Sequence, residues 1–422
     1  MYIQKLDRQS FAIAIIINNA ISVYIYSIKQ KEDKDMSVTV VLDSQAGSCG
    51  KGKFIGYLAP ENGLAINNFM SNAGHTFVYE DGTPVMTQQL PTSMVNEKCD
   101  LVIGPEAAIT PHILFDELIK YREIIGKRQV VINPNAVVIK QCHRDTEAEI
   151  LRSGSTFKGC GAARADKVMR QAELFGSWWS RFSHGEYTDE IDAGEFDEED
   201  CEYIVSKIIV ADTMPIVNNA IDHGINVMIE GSQGCDLDIN YGLPYPNTTS
   251  RQCHAGQLVA DCGISPRLVD DIIMIMRPYP IRISNTTNLK NEDGSTLVTS
   301  SGDYNGSEEI TWDEIKKRCG APDDVEFGEM TTVTKKMRRV FEMNWDRFEY
   351  VCRLNRPTQI ALNFAQYIDW QAYKCKEFCR LPMVVKNFIY AVEAHAGCPV
   401  TLIGTGANND DIIDRRAELC MK

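Results

Sequence analysis

The sequence predicts an α/β protein in which helices surround a mostly parallel, doubly wound central sheet. Apolar, β-branched runs recur along the chain, and amphipathic helical patterns separate several of them, as at residues 111–126. The first run, "VTVVLD", enters a glycine-rich turn, and "FIGYLA" continues it as a helix. The other apolar runs predicted as strands lie at 101–104, 129–139, 225–231, 271–276, 359–364 and 400–406. Strands that alternate with helices in this way are typical of a parallel sheet.

An N-terminal segment is predicted to lie outside this fold. Residues 11–28 are apolar enough for a signal sequence or a short membrane helix, but Asn18 and Asn19 interrupt the run. Its length is at the short limit for a membrane span. We therefore expect residues 1–35 to be an extension outside the fold and the protein not to bind a membrane. Because the sequence shows no internal repeat and no long linker, we expect residues 36–422 to form a single catalytic domain.

The composition excludes several functional classes. The chain has 422 residues and a formal net charge of −15, so it lacks the basic balance that a general nucleic-acid-binding surface needs. Its 14 cysteines include no C-x-x-C pair, which argues against a zinc site or a disulfide framework. A reducing cytoplasm is the simpler setting.

The stretch "LDSQAGSCGKGKF" nearly matches a phosphate-binding loop. Gly47, Gly52 and Lys53 fit G-x-x-x-x-G-K, but Phe54 stands where that motif has Ser or Thr for magnesium. Glycines allow close approach of the backbone to a phosphate, and the two lysines supply positive charge. Such turns also occur for structural reasons, so the loop alone is a moderate signal.

Four further segments strengthen this interpretation. They are "SNAGHTF" (71–77), "GSTFKGCGAARADKVMR" (154–170), "EGSQGCDLDINYG" (230–242) and "YPNTTSR" (245–251). Together with the glycine loop, their order and spacing resemble the signature segments of adenylosuccinate synthetases. The resemblance implies the fold of that family, which is related to P-loop NTPases. It also implies a ligase that phosphorylates the 6-oxygen of a purine monophosphate, after which the amine of L-aspartate displaces the phosphate.

The resemblance assigns residues to two nucleotide sites. Those implied for the triphosphate are Gly47, Ser48, Gly50, Lys51, Gly52, Lys53, Gly74, His75, Thr76, Asn363, Gln366, Gly404, Thr405 and Gly406. Those implied for the purine monophosphate are Ser48, Asn72, Ala73, Thr156, Arg170, Gln233 and Thr249.

The resemblance also implies catalytic roles. Lys51 would contact the phosphates, and His75 would be the general acid that stabilises charge as the γ-phosphoryl group leaves. Mg²⁺ would be held at Ser48 and at the carbonyl of Gly74. Arg170 would reach across a homodimer interface into the partner's site.

The aspartate loop of the family appears here in altered form. Where the family has T-G-R-x-R, this chain has "TKKMRR", so that Thr334, Lys336 and Arg338 take the matching places. A lysine binds a carboxylate as a point charge, whereas an arginine binds it through a planar fork. We therefore expect Lys336 to orient a carboxylate of L-aspartate less strictly than the arginine of the family would.

Ser48 replaces the catalytic aspartate of the family, which takes the proton from the ring nitrogen beside the reacting oxygen. A serine is a poor base, so one interpretation is an inactive enzyme. The other is a changed substrate, because a small hydroxyl leaves room for a purine 2-amino group and can accept its hydrogen bond. This second interpretation indicates a guanylate. Ser48, or a water that it positions, would then be the proton acceptor, with Asp43 as an alternative.

The donor-base segment also departs from the family. A Lys-x-Asp pair that reads guanine is replaced within "LNFAQYID", where the amide of Gln366 or of Asn363 stands at the position of the carboxylate. An amide can both donate to and accept from an adenine edge. ATP or dATP is therefore the expected donor.

These departures resemble the phage-type branch of the family, which uses dGMP, L-aspartate and ATP. The predicted product is 2-amino-2′-deoxy-N6-succinyladenylate, which serves synthesis of diaminopurine DNA. The predicted location is the cytoplasm, that of the host if a phage encodes the chain. Two alternatives remain: an ordinary adenylosuccinate synthetase acting on IMP with GTP, and a non-catalytic purine-nucleotide-binding protein.

Overall fold

A ten-stranded sheet forms the centre of the computed structural model, which describes residues 37–150, 155–185, 191–290, 296–330 and 336–419. The strands are β1 (Val38–Asp43), β2 (Leu64–Asn67), β3 (His75–Val78), β4 (Pro84–Thr87), β5 (Asp100–Ile103), β6 (Ala108–Ile109), β7 (Val130–Ile132), β8 (Val137–Val138), β9 (Ile208–Val210), β10 (Val227–Gly234), β11 (Asp271–Met276), β12 (Ile281–Arg282), β13 (Thr286–Lys290), β14 (Thr296–Thr299), β15 (Glu309–Ile310), β16 (Arg339–Phe341), β17 (Gln359–Leu362), β18 (Val400–Gly404) and β19 (Ile412–Asp414).

The spatial order of the central sheet is β19-β18-β17-β11-β1-β10-β2-β5-β7-β9. Its neighbouring strands pair in parallel, except for the antiparallel pair of β18 and β19. The predicted mostly parallel sheet is therefore confirmed.

Helices connect the strands. They are α1 (Lys51–Leu58), α2 (Pro111–Lys120), α3 (Arg122–Ile125), α4 (Gln141–Ile150), α5 (Cys160–Val168), α6 (Phe175–Phe182), α7 (Glu198–Lys207), α8 (Thr213–Asp222), α9 (Ala255–Asp261), α10 (Trp312–Cys319), α11 (Trp345–Asn355) and α12 (Met383–Ala396). The pattern at 111–126 contains two helices, because the chain leaves helical geometry at Tyr121. Pro111 starts the first, where its missing N–H costs nothing, and Gly126 follows the second at φ 58°.

The central strand β1 is buried on both faces. Val38, Val40 and Leu42 belong to one apolar cluster, whereas Val41 belongs to another on the opposite face. Such a strand needs a continuous apolar run rather than an alternating one. The sequence "VTVVLD" meets this requirement and ends in the glycine loop.

The segments predicted to bind nucleotide meet at the carboxyl edge of the sheet. The glycine loop follows β1, Gln233 lies at the end of β10, Asn363 follows β17, and Gly404 ends β18. In open parallel sheets, ligands bind in the crevice beyond this edge, at the point where the connections from two neighbouring strands run to opposite sides of the sheet. The fold thus brings segments that are far apart in the sequence to one place.

The predicted extension at residues 1–35 lies outside the described residues, so its separation from the catalytic domain stays a prediction. None of the helices that the structure does describe combines the length and the apolar character needed to cross a bilayer.

Candidate active site

The glycine loop has left-handed backbone geometry at three positions. Gly47, Ser48 and Gly50 have φ angles of 82°, 54° and 95°. At Gly50 a β-carbon would lie 2.0 Å from Nδ2 of Asn363, so the loop passes too close to that amide for any side chain. Ser48 is exposed at the tip of the loop. Helix α1 begins directly after Gly50, an arrangement that suits phosphate binding.

The glycine loop and the N-A-G-H-T segment are in direct contact. A β-carbon at Gly52 would lie 2.3 Å from the carbonyl oxygen of Thr76. The first turn of α1 therefore packs on the backbone of β3, which begins at His75. This contact brings together two parts of the predicted triphosphate site.

Lys51 is buried and joins the loop to the end of β10. Its Nζ lies 2.5 Å from Oδ2 of Asp43 and donates to the carbonyl oxygen of Gln233 at 2.7 Å. Burial raises the pKa of the Asp43 carboxyl above its ordinary value, and the ammonium of Lys51 opposes that shift. Asp43 is thus the counter-ion of Lys51.

His75 is buried and stacks on Phe69, with ring centroids 4.0 Å apart and planes at 17°. Burial, and then the charge of Lys51, hold the pKa of the imidazole well below its ordinary value. The ring is therefore neutral near pH 7 in the free protein. An anionic phosphate beside it would favour the protonated form.

The two residues predicted to read the purine are hydrogen-bonded to each other. Nε2 of Gln233 donates to Oδ1 of Asn72 at 2.9 Å, and Gln233 has a left-handed φ of 61°. Ala73 lies next to this pair in the chain. A left-handed backbone at a residue other than glycine is strained, and such strain is concentrated at functional sites.

The residues predicted for the monophosphate lie in different surroundings. The backbone N–H of Thr249 donates to the carbonyl oxygen of Leu237 at 2.7 Å, and Thr156 is half-buried. Arg170 is exposed just beyond α5, with a φ of 63°. Within the described part of the chain its guanidinium makes no hydrogen bond or ion pair, and its reach into a second copy stays a prediction.

Asn363 connects the glycine loop with the end of β18. Its Nδ2 donates to the carbonyl oxygen of Cys49 at 3.0 Å, and a β-carbon at Gly404 would lie 2.1 Å from its Oδ1. Gln366 lies one short turn later and is also buried. Of the two amides that the sequence left as alternatives, Asn363 is therefore the one that is hydrogen-bonded to the glycine loop.

Lys53 holds α1 against the turn after β18. Its Nζ donates to the carbonyl oxygens of Gly406 at 2.8 Å and Asp411 at 2.7 Å, and burial lowers its pKa to about 7. Thr405 faces the same turn, because its N–H donates to the Asp411 carbonyl and its hydroxyl donates to the Cys375 carbonyl. In the free protein, Lys53 thus contacts backbone carbonyls.

The lowered pKa of Lys53 predicts a pH dependence of stability. The unfolded chain has the ordinary value of 10.5, so between about pH 7 and about pH 10.5 it binds more protons than the folded chain. The contribution of Lys53 to the free energy of unfolding should therefore increase as the pH rises through this window. Urea unfolding measured across this pH window should give a free energy of unfolding that rises less steeply with pH for Lys53→Met than for the unsubstituted chain. Equal slopes of the free energy against pH would contradict the prediction.

The aspartate loop is described only in part. Thr334 lies outside the described residues, whereas Lys336 and Arg338 follow it and are half-buried. The N–H of Arg338 donates to the carbonyl oxygen of Glu329 at 2.8 Å. Burial lowers the pKa of its guanidinium, and the charge of Glu329 opposes that shift. Two of the three predicted aspartate ligands therefore lie near the base of this loop.

Four of the predicted site residues carry a buried polar atom that has no hydrogen-bond partner among the described residues. They are Nε2 of His75, Oγ1 of Thr249, Oδ1 of Asn363 and Oε1 of Gln366. Buried polar atoms are nearly always hydrogen-bonded in folded proteins. A polar ligand would supply the missing partners.

The sequence did not indicate two further residues of the site. Arg277 directly follows β11 and is fully buried, and its Nη1 donates to the carbonyl oxygen of Ser48 at 3.0 Å. Glu329 pairs with the same guanidinium. An arginine immediately after the apolar run "DIIMIM" was the available signal, since charged residues at the carboxyl ends of parallel strands often serve a ligand site.

A parallel sheet whose carboxyl edge gathers a glycine loop, a buried lysine and histidine, and paired amides defines a nucleotide-binding α/β enzyme. Comparison with known proteins narrows this class. The chain belongs to the adenylosuccinate synthetase family, whose model matches residues 40–372. It is therefore a ligase that forms C–N bonds, and the family indicated by the sequence segments is confirmed.

Curated relatives of two kinds resemble the chain. The adenylosuccinate synthetase of Pyrococcus sp. (strain ST700) is 30% identical over 389 residues, which cover 90% of this chain and 99% of that protein. The N6-succino-2-amino-2′-deoxyadenylate synthase of Salmonella phage PMBT28 is 30% identical over 341 residues, which cover 80% of this chain and 87% of that protein.

Solved structures resemble the chain over most of its length. The cyanophage S-2L succinoaminodeoxyadenylate synthetase, bound to dGMP and to dATP as an energy donor, matches with a TM-score of 0.70 and 28% identity. The match covers 92% of this chain and 98% of that one. The fully ligated adenylosuccinate synthetase of Plasmodium falciparum also has a TM-score of 0.70, but its 18% identity supports the fold alone.

Proposed function

We propose that the chain joins L-aspartate to the 6-position of dGMP, with ATP or dATP as phosphoryl donor. The observation that carries this proposal is Ser48, exposed at the tip of the glycine loop where the family resemblance places a catalytic aspartate. A neutral hydroxyl leaves room for the 2-amino group of guanine and can accept its hydrogen bond. The relatives from the Salmonella phage and the cyanophage support the same choice. The product would be 2-amino-2′-deoxy-N6-succinyladenylate, a precursor for diaminopurine DNA.

The reaction would proceed in two steps. In the first, O6 of guanine attacks the γ-phosphorus, the bond to the leaving diphosphate breaks, and the N1 proton of guanine departs. In the second, the amine of L-aspartate attacks C6, and the C6–O6 bond breaks with its electron pair on oxygen. Inorganic phosphate leaves, and the new C6–N bond is completed when the nitrogen gives up a proton. Asn72 and Gln233, already hydrogen-bonded to each other, would hold the purine near the reacting oxygen.

Lys51 and His75 would act on the phosphates in the first step. Lys51 is placed by Asp43 and by the Gln233 carbonyl, so a small movement of its flexible side chain would let it contact the triphosphate. Nε2 of the neutral His75 imidazole has no partner among the described residues, and the ring would gain a proton as negative charge arrives beside it. It would then donate to the departing phosphate oxygen.

The proton acceptor for N1 would be Ser48 or a water molecule bound to it. Asp43 is less suited, because it is fully buried and already bonded to Lys51. A serine hydroxyl is a weak base. Transfer of the phosphoryl group to O6 makes the N1 proton more acidic, which reduces the basicity that is required.

Gln366 would read the base of the donor, whereas Asn363 would lie beside its phosphates. Asn363 is fixed between Gly50 and Gly404 and donates to the glycine loop. Gln366 has a buried Oε1 without a partner in the described residues, and its amide can both accept from and donate to an adenine edge. The assignment of an amide, Gln366, to the base of the donor is the reason to expect ATP or dATP rather than GTP.

Mg²⁺ fits the donor set at the loop. Ser48 and Gly74 would offer a hydroxyl and a carbonyl oxygen, and no group of three or more His, Cys, Asp or Glu side chains in the described ranges is arranged to hold a metal. Mg²⁺ commonly takes most of its ligands from phosphates and water. When bound, it would neutralise charge on the donor phosphates.

A homodimer would complete the monophosphate site. Next to Arg170, the side chains of Val168 and Met169 are 80% and 66% exposed. Apolar side chains grouped in this way commonly mark an interaction surface. A second copy that covered them would also receive Arg170.

One assay tests the proposed function. Purified protein is incubated with L-aspartate, one of dGMP, GMP or IMP, and ATP or GTP, and the succinylated nucleotide is detected by mass. We expect product from dGMP with ATP. The Pyrococcus relative is named an adenylosuccinate synthetase, which supports the alternative of an ordinary enzyme of that kind. Turnover of IMP with GTP but not of dGMP would overturn the proposal. No turnover with any pair would favour a binding protein.

A loop substitution tests the role of Ser48. In Ser48→Asp, the ratio of kcat/KM for dIMP to kcat/KM for dGMP should rise on the order of tenfold or more, because the larger carboxylate would occupy the space of the 2-amino group. The two nucleotides differ only in that amino group. Ser206→Asp, at an exposed serine of α7, is the matched control and should leave the ratio unchanged. An unchanged ratio in Ser48→Asp would contradict this role.

A further inference from the structure

Arg277 is fixed to the beginning of the glycine loop through its backbone. Its N–H donates to Oε1 of Gln45 at 3.0 Å, and its carbonyl oxygen accepts from Nε2 of Gln45 at 3.0 Å. Both residues are buried. The position of the arginine relative to the loop is therefore set before its side chain makes any contact.

The guanidinium of Arg277 lies beneath the reactive part of the loop. Nη1 donates to the carbonyl oxygen of Ser48 at 3.0 Å, and Nε donates to the carbonyl oxygen of Tyr279 at 2.8 Å. The guanidinium carbon lies 4.4 Å from the ring centroid of Phe364, in the donor-base segment. Because Ser48 has a left-handed φ of 54°, a charged donor on its carbonyl helps to hold an unfavourable backbone conformation.

Glu329 completes a two-bond fork on the same guanidinium. Its Oε1 and Oε2 lie 2.5 Å from Nη2 and 2.9 Å from Nη1 of Arg277, and Oε1 also accepts from the hydroxyl of Tyr367 at 3.2 Å. Glu329 is half-buried, and although its burial opposes ionisation, the charge of Arg277 holds the pKa of its carboxyl below the ordinary value. The pair is therefore ionic at neutral pH.

Glu329 also stands at the base of the aspartate loop. Its carbonyl oxygen accepts from the N–H of Arg338, and the next residue, Met330, bridges to Met337. A continuous path of bonded groups thus leads from Arg338, through Glu329 and Arg277, to the backbone of Ser48.

We infer that Arg277 and Glu329 are positioning residues that connect the aspartate loop to the catalytic loop. This inference rests on the proposed function in one respect, since it takes the segment around Arg338 as the site of L-aspartate. A carboxylate of the substrate seated on Arg338 would fix the base of its loop, and the ion pair would pass that restraint to the carbonyl of Ser48. Buried ion pairs contribute little net stability compared with apolar side chains of similar volume, so stability is a weak reason for one here.

Kinetics of three variants test the connection. Glu329→Gln keeps the shape and removes the charge, Arg277→Lys keeps the charge and removes the fork, and the third variant carries both substitutions. We expect the KM for L-aspartate to rise on the order of tenfold in each single variant, and kcat to fall by a smaller factor. The KM values for the purine and for the donor should stay within about twofold of those of the unsubstituted chain. The double variant should be little worse than either single one, because both break the same connection.

A matched control separates positioning from folding. Glu393 pairs with Arg415 at 3.2 Å at a similar depth but lies in α12, away from the loops, so Glu393→Gln should change the melting temperature without changing the KM for L-aspartate. An unchanged KM in both single variants, or additive effects in the double variant, would overturn the inference. If Glu329→Gln does not fold, the conservative Arg277→Lys still decides the outcome.

The same measurements distinguish this inference from the proposed function. L-aspartate is common to the dGMP and IMP reactions, so the variants are assayed with whichever purine the unsubstituted chain turns over. A chain that used IMP would overturn the proposed substrate and leave the test of Arg277 and Glu329 intact. A chain that turned over no purine, and whose melting temperature was unchanged by L-aspartate, would overturn both.

Discussion

Replacing His75 by asparagine should lower kcat for succinyl-nucleotide formation by about 10²–10⁴-fold, the usual contribution of a general acid. The imidazole is buried, and its Nε2 has no hydrogen-bond partner among the described residues. The next residue, Thr76, packs on Gly52 of the glycine loop. Asparagine retains a polar side chain but cannot carry a proton to the departing phosphate. Steady-state kinetics at saturating substrates would measure the loss.

The control for His75→Asn is a second stacked histidine. His395 lies on Trp345 with ring centroids 4.5 Å apart and belongs to α12. His395→Asn should leave kcat unchanged, because it removes a comparable ring contact away from the loops. A kcat for His75→Asn within about threefold of the unsubstituted value would contradict a proton-transfer role, whose expected range begins near 10².

Replacing Lys51 by methionine should affect both catalysis and stability. Loss of the cation beside the transferred phosphoryl group should lower kcat by about 10²–10³-fold. The substitution also leaves the fully buried Asp43 without its counter-ion, which should lower the free energy of unfolding by about 3–5 kcal/mol. Steady-state kinetics and urea unfolding measure the two effects on one variant.

A double substitution separates these effects. In Lys51→Met with Asp43→Asn, the buried carboxylate is replaced by an amide of the same shape, so most of the lost stability should return. The activity should not return, because the cation is still missing. Recovery of kcat together with stability would mean that Lys51 supports the loop and takes no part in phosphoryl transfer.

The strands predicted from the sequence are those with long apolar runs. The runs at 225–231 and 271–276 became β10 and β11, because strands buried on both faces need continuous apolar sequence. The short β2 and β9, at Leu64–Asn67 and Ile208–Val210, were not predicted. Runs this short do not show a period, and these strands form by pairing within the sheet, β2 with β10 and β5, and β9 with β7.

The candidate site was predictable only where its residues follow one another in recognisable segments. The glycine loop, Asn72 and Gln233 all belong to such segments. In the structure the side chain of Gln233 is hydrogen-bonded to Asn72, and its carbonyl oxygen accepts from Lys51 of the loop. The contact of Arg277 with Glu329 joins residues 52 positions apart that have no shared pattern. For Lys53 the sequence indicates a positive charge near phosphate, but it does not indicate that the side chain turns to the carbonyl oxygens of Gly406 and Asp411. The role of Lys53 in triphosphate binding stays a prediction.

The position of β1 in the sheet has a consequence for the synthesis of the chain. Val38, at the start of β1, pairs with Val227 of β10, and Thr39 pairs with Asp271 of β11. β1 therefore has neither neighbour until more than half of the chain has been translated, and contacts so distant in sequence form slowly. The glycine loop, although encoded early, therefore cannot take its final shape until β10 and β11 have been made.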